Sequence, residues 1–455
     1  MKLYQRIEQI LLQFRPVFRR EATFEWFVLL FWGVVLSTQP PAVTSYLNAL
    51  GLGENYYHQA LHWFHSSAFC VDSLCKVWGA WLSEHPFVER LSGQRLYVGD
   101  GIKVGKEGRK MPGVKRLHQE SSDVNKPEWI RGHYFSTLGV LLGAGAALFA
   151  VPIVFNLHDG IEALEAESRA LTLVDKMAAL CLKHMSTGSY ALLDAYYASA
   201  KVLKPFRAQG LHLISRVRIS TVARAAFSPL AGPQGRGRPR KWGSEIPLKP
   251  LFEPLSACQN AVVWLYGQPT PVYYQCFEFF WDSPDAEVLF VLTQLPNGKR
   301  LILLSSDVKL TGEQVIEAYG KRFKIEVCFR SFVLLLSGFA YRFWLKLIDK
   351  TTQFPPNLSL ADYPSDQQDQ IEQKVEAFER FVNLNAIVLG VLQVLALELP
   401  QSVWHNFPRW FRTFPEHGYP TEQIVRLTLQ HHQPMIFARS RPTLLLPQLI
   451  ADKTG

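Results

Sequence analysis

Apolar positions recur at helical spacing from the start of the chain. Ile7, Ile10, Leu11 and Phe14 share one helical face, an unbroken apolar run fills 27–36, and Pro40-Pro41 interrupts the pattern. Residues 1–90 therefore read as a helical region. The pattern then changes. Leu96-Tyr97-Val98-Gly99 is a short apolar run that ends at Asp100. Residues 134–156 carry no charge and are long enough for a membrane-spanning helix, but Gly143-Ala144-Gly145 lies between two Val/Leu/Phe-rich runs and reads as a turn between two buried strands. Residues 161–183 read as a helix, Tyr190 to Leu193 as a strand leading into Asp194, and Leu211 to Ile219 as a further strand. This order predicts a mixed α/β layer fold. Residues 245–307 read as β, with Asn297-Gly298 between two apolar runs as a hairpin signal. Thr311 with Gln314 forms a capping-box pattern that opens a long helix to about Leu347. A polar stretch at 351–370 reads as a linker, a last helix covers about 370–397, and a basic, aromatic tail follows.

Composition narrows the class. The 455 residues are 48% hydrophobic and include 12 Trp, 16 Tyr and 30 Phe, which excludes a disordered or fibrous chain. The six cysteines form no CxxC pair, which excludes a disulfide scaffold and fits a reducing, intracellular compartment. A net charge of +9 selects nothing by itself. Its placement does: residues 195–244 hold ten Lys/Arg and no Asp/Glu. That segment ends in Gly237-Arg238-Pro239-Arg240-Lys241, which suits neither a regular helix nor a central strand. Arg238, Arg240 and Lys241 read either as a flat strip for a narrow minor groove or as a solvated basic loop. A basic segment this concentrated favours DNA over an anionic membrane.

The candidate chemistry lies in carboxylates. Asp100 and Asp194 each end an apolar run, where rigid backbone can hold a metal ligand, although such an aspartate alone is more often a turn former or helix cap. On a continuous helix from Thr311, Tyr319, Arg322, Glu326 and Arg330 fall on one stripe bordering an apolar face of Ile316, Phe323 and Val327. The alternative for that stripe is an Arg322–Glu326 pair on a solvated face.

The segments YVGD ending at Asp100, ALLDAYYAS around Asp194, and Tyr319-Arg322-Glu326, with MPGVKRLHQ at 111–119 and RGH at 131–133, resemble the DDE transposases of bacterial insertion sequences, in the group with a Tyr-Arg-Glu-Lys signature. The resemblance covers about residues 20–350. It departs at Val333, where the signature has Lys; Arg330 is the candidate substitute. The resemblance implies an α/β fold with an RNase H-like catalytic core, a β-rich insertion and flanking helical regions. The implied domains are 1–90 (helical, DNA-binding), 91–219 (first part of the core), 220–307 (basic loop and β-rich insertion), 308–350 (glutamate helix) and 351–455 (linker, helix and basic tail).

It also implies Asp100, Asp194 and Glu326 as catalytic ligands of two Mg²⁺ ions about 3.5–4 Å apart, with Mn²⁺ able to substitute. Tyr319, Arg322 and Arg330 would meet phosphates beside the cut. Trp242, Trp264 and Trp281 lie where related enzymes stack an extruded base, and each reads more simply as a packed core Trp. The implied partners are double-stranded DNA, as element ends and target, and a second copy of the chain in the DNA complex. The implied location is cytoplasmic, on the nucleoid. Two rivals remain: a decayed copy that binds DNA without cutting it, and a polytopic membrane protein that uses 27–36, 134–156 and 384–397 as spans.

Overall fold

The computed structural model describes all residues except 1, 120–126, 163–170, 227–241, 254–257, 283–286, 354, 409–417, 440–443 and 455, and the side chains of 433–439 are also outside the description. The chain opens with α1 (Lys2–Leu12), α2 (Glu21–Leu36), α3 (Val43–Ala49), α4 (Tyr57–His65) and α5 (Val71–Ser83). Next come β1 (Arg90–Leu91), β2 (Gln94–Gly105), β3 (Lys115–His118), the hairpin of β4 (Trp129–Ala144) and β5 (Ala147–Leu157), and β6 (Ile161–Glu162). Then follow α6 (Leu173–His184), β7 (Tyr190–Leu192), α7 (Ala200–Ala208), β8 (His212–Val217), β9 (Val222–Arg224), β10 (Glu245–Pro247), β11 (Gln259–Leu265), β12 (Gln268–Phe280), β13 (Glu287–Gln294) and β14 (Arg300–Ser305). The last elements are α8 (Gly312–Lys321), α9 (Lys324–Leu336), β15 (Leu358–Ser359), α10 (Ser365–Glu398), α11 (Pro400–Asn406), α12 (Glu422–Arg439) and α13 (Leu445–Thr454). The fold is mixed α/β with helical ends, and it divides into two compact units. One comprises Met1–Val88, Gly101–Ala170 and Glu326–Gly455; the other comprises Glu89–Asp100 and Leu171–Ile325.

In the first unit, residues 27–36 form the buried length of α2, as a helix apolar on every side must. Residues 134–156 are the β4–β5 hairpin, paired from Phe135↔Leu157 to Ala144↔Ala147 around Gly145, whose φ of 56° suits glycine. Only α10, among the described residues, is long and apolar enough to cross a membrane, and 94% of its apolar window is buried inside the protein. The membrane reading therefore loses its spans: one is a hairpin and two are core helices. α10 also completes β5. The Asn383 amide donates to Phe155 O and accepts from Phe155 N, both at 2.8 Å, so a buried side chain takes the place of a neighbouring strand.

An ion network closes the far end of α10. Arg6 donates twice to the Glu398 carboxylate, at 2.6 and 2.7 Å, and His85 Nε2 lies 2.9 Å from it. Burial alone would raise the Glu398 pKa, but the bonds from Arg6 and His85 outweigh it and hold the group at about 2. A depressed carboxylate contributes stability that is complete above its ordinary value of 4.5 and is lost as pH falls through about 2. Glu398→Gln is thus expected to melt below wild type at neutral pH. The gap should close between pH 4.5 and 2; a gap constant down to pH 2 would show that the carboxylate charge contributes nothing.

Residues 351–370 are more than a linker. Leu358 and Ser359 of β15 pair in parallel with Ile161 and Glu162 of β6, and Leu360 and Ile371 are buried together with Ile348. Residues 161–183 also differ from the expected helix: 161–162 are strand, 163–170 lie outside the described residues, and α6 begins only at Leu173, where Thr172 and Asp175 form its capping box.

In the second unit the strand order is β10-β9-β12-β13-β14-β8-β7-β2, with β11 on β12 and β1 on β2. β2, β7 and β8 run parallel, whereas β12, β13, β14 and β8 are antiparallel neighbours. The Thr311–Gln314 capping box opens α8 as expected. The helix does not run to Leu347. It breaks at Arg322-Phe323, where Arg322 N bonds Tyr319 O at 3.0 Å and Ile325 N bonds Arg322 O at 3.1 Å, a tightened i→i+3 turn. α9 then ends at Leu336, closed by Ser337 at φ 48° and a bond of 3.0 Å from Gly338 N to Phe332 O.

Candidate active site

The second unit places Asp100 and Asp194 level with one another. β2 and β7 pair in parallel as Leu96↔Tyr190, Tyr97↔Ala191 and Val98↔Leu192, and each aspartate lies two residues beyond the last pair. Neighbouring strands stand about 4.8 Å apart, so the register delivers two carboxylates to one spot. Asp100 is not at a strand tip: β2 continues to Gly105. Asp194 does end its strand and stands at the N-cap of a short 3-10 turn over Ala195–Tyr197. Ser215 on β8 is fully buried, and its hydroxyl lies 3.0 Å from Leu193 O and 3.1 Å from Asp194 O, which fixes the backbone that carries the second aspartate.

Arg322 reaches this pair from the break after α8. Its Nη2 donates to Asp100 Oδ2 at 2.6 Å and lies 3.9 Å from Asp194 Oδ1. The guanidinium side chain is 12% exposed, against 21% for Asp100 and 37% for Asp194. Two level carboxylates repel one another, and a cation held between them offsets that repulsion. Arg322 stands at the C-cap of α8 with helical backbone angles, φ −53° and ψ −34°, and its fork reaches both aspartates from there.

Tyr319 belongs to the same group. Burial pushes its hydroxyl pKa up and the charge of Asp194 pushes it further, while Arg322 and Arg216 pull it down; the net direction is up. Tyr319 thus remains a neutral donor. Arg216, from β8, is a site residue that the motif reading missed; its only signal was membership of the basic 195–244 segment. Tyr266 is another. It turns the β11–β12 hairpin at φ 52°, and its ring meets Phe323 edge-on at 6.0 Å.

Glu326 and Arg330 are on α9 in the first unit, both exposed, and Val333 is 43% exposed on the same helix. Among the described residues no group of three or more His, Cys, Asp or Glu is close enough to hold a metal ion. Arg238, Arg240 and Lys241 lie outside the described residues. Trp264 is 59% exposed on β11, whereas Trp281 rests against Phe290 and Trp242 lies under the Arg224 guanidinium. His133 is a core histidine: its ring accepts from the Tyr341 hydroxyl at 2.6 Å and donates to Pro112 O at 2.9 Å.

No family model and no curated protein matches the chain. It is similar to a solved structure described as the cryo-EM structure of a piggyBac transposase synaptic complex with hairpin DNA, at 12% identity and a TM-score of 0.36, over 96% of this chain and 79% of that one.

Proposed function

We propose that this protein is a DNA transposase: a divalent-metal-dependent endonuclease and strand transferase that acts at the ends of an insertion sequence, with an RNase H-like core. One observation carries the reading. Asp100 and Asp194, singled out by their sequence contexts, stand level on adjacent parallel strands, and one arginine fork faces both. The donor set fits Mg²⁺, a hard cation that prefers carboxylate oxygens. Asp100 and Asp194 would hold it, with Glu326 as the third carboxylate. When bound, the ion supplies Lewis-acid polarisation of the reacting phosphoryl group.

The chain's own side chains do the rest. Arg322, which neutralises the aspartates, also presents a planar fork to a phosphate at the same place. Tyr319, neutral and mostly buried, donates from the wall of the site, and Arg330 contacts phosphate in the place of the signature Lys. Binding through these groups orients the scissile bond. Arg238, Arg240 and Lys241 bind the minor groove beside the cut. The acting form is a homodimer that pairs two element ends, in the cytoplasm on the nucleoid.

The test is cleavage of the DNA that flanks this reading frame. Purified protein with Mg²⁺ or Mn²⁺ is expected to cut at the element boundary, leave a free 3′-hydroxyl and join that end to a second duplex. Folded protein that binds those ends and cuts none of them with either ion would sink the reading in favour of a decayed copy. Separately, Arg238→Ala with Arg240→Ala is expected to reduce affinity for the ends and to flatten the salt dependence by roughly one per lost contact. A salt slope that does not move would mean that neither arginine touches phosphate.

A further inference from the structure

The first unit contains a cavity of about 340 Å³ between α4, α10 and residues 340–344. That size lies in the usual range of roughly 300–1,000 Å³ for small-ligand pockets. Its lining includes Lys374, Arg342, His65 and Tyr57 with Phe343 and Trp344, and no Asp or Glu. We infer that this cavity binds a nucleotide, with Lys374 and Arg342 on its phosphate and the aromatic side chains against its base.

The hydrogen bonds define the polar end. His65 Nδ1 lies 3.0 Å from Leu61 O and therefore donates to it, which leaves Nε2 as an acceptor. Lys374 Nζ donates to that nitrogen at 2.9 Å. One of its three donors is thus committed and its direction is fixed. Among the described residues no carboxylate pairs with Lys374 or Arg342. Burial lowers the Lys374 pKa, and an anion seated beside the ammonium favours its charged form. A lysine held in place, an exposed arginine and no counter-charge describe a receptor for an anion.

The walls narrow the class. Phe343 meets the His65 ring edge-on at 5.1 Å and stacks with Phe378, so it forms a fixed surface. Trp344 is 59% exposed and offers an open indole face at the mouth. Inorganic phosphate would use only the cations; a mononucleotide uses both ends. The nucleotide can come from solution or from an unpaired residue at a DNA end, and the chemistry is the same.

The test uses the full chain in EDTA, so that binding is read without strand cleavage and either proposal can fail while the other stands. Calorimetry with dAMP, deoxyadenosine and inorganic phosphate is expected to show one saturable dAMP site, at least about tenfold tighter than for either fragment. Lys374→Met keeps the buried stem and is expected to weaken dAMP about tenfold or more. Arg342→Glu, at an exposed position, is expected to abolish the site with the melting temperature unchanged. A second arm compares a duplex carrying one unpaired 5′-phosphorylated nucleotide with a blunt duplex. A preference for the overhang that Arg342→Glu removes assigns the site to DNA ends; saturable dAMP binding without that preference assigns it to free nucleotide. No saturable dAMP binding together with no overhang preference, or binding that survives both substitutions, overturns the inference.

Discussion

Asp100→Asn and Asp194→Asn are each expected to reduce metal-dependent strand cleavage by roughly 10³-fold or more, while affinity for the same DNA holds within about twofold. The split follows from the geometry. Asn is nearly isosteric with Asp, so β2, β7 and the Ser215 bonds beneath Asp194 are retained. What is lost is one negative oxygen donor where two stood level. A lone carboxylate is a weak site for a hard dication, whereas the phosphate contacts proposed for Arg322 and Tyr319 do not need the missing charge. Glu326→Gln is expected to act in the same direction. The measurement is cleavage in Mg²⁺ alongside a binding titration in EDTA. An aspartate variant that cuts at the wild-type rate would remove that residue from the site, and loss of binding in parallel with cleavage would assign it a structural role.

Much of the local structure was legible because it is locally encoded. The Gly143-Ala144-Gly145 turn, Asn297-Gly298 and the Thr311–Gln314 capping box each act within a few residues, and each forms as expected. The apolar run at 27–36 shows that composition alone does not choose between membrane and core: α2 is apolar all round because other helices surround it.

What escaped the sequence is non-local. Helical periodicity assumes an unbroken helix, so it put Tyr319, Arg322, Glu326 and Arg330 on one stripe. The i→i+3 turn at Arg322-Phe323 interrupts that helix, and the contacts that accompany the interruption come from Asp100 and Tyr266, far away in the chain. The pairing of β2 with β7 sets the two aspartates level, and neither strand alone specifies that register. The polar 351–370 stretch read as a linker because its few apolar residues show no period; Leu360 and Ile371 nonetheless find Ile348.

The largest expected effect on stability is at Arg426 on α12, in the first unit. Its Nη2 donates to Val34 O at 3.0 Å and Ser37 O at 2.8 Å, its Nε donates to Val35 O at 3.1 Å, and its Nη1 donates to Leu335 O. These carbonyls lie at or near the C-terminal ends of α2 and α9, where the last carbonyls of a helix have no partner within it. One half-buried guanidinium therefore ties three helices together, and the negative ends of two helix dipoles favour its charge. Burial lowers its pKa, yet an arginine retains its proton under all ordinary conditions. Arg426→Met keeps much of the stem but leaves those carbonyls without their donor, at a cost of about 3 kcal/mol. For a compact unit of this size that corresponds to a fall of roughly 6–12 °C in Tm. Arg426→Lys retains the charge but loses the fork, and should fall between the two. Calorimetric melting of the three proteins checks the order. If Arg426→Met melts within about 2 °C of wild type, water or Gln430, which already donates to Val35 O and Ser37 O, is enough to satisfy the helix ends and the arginine is dispensable.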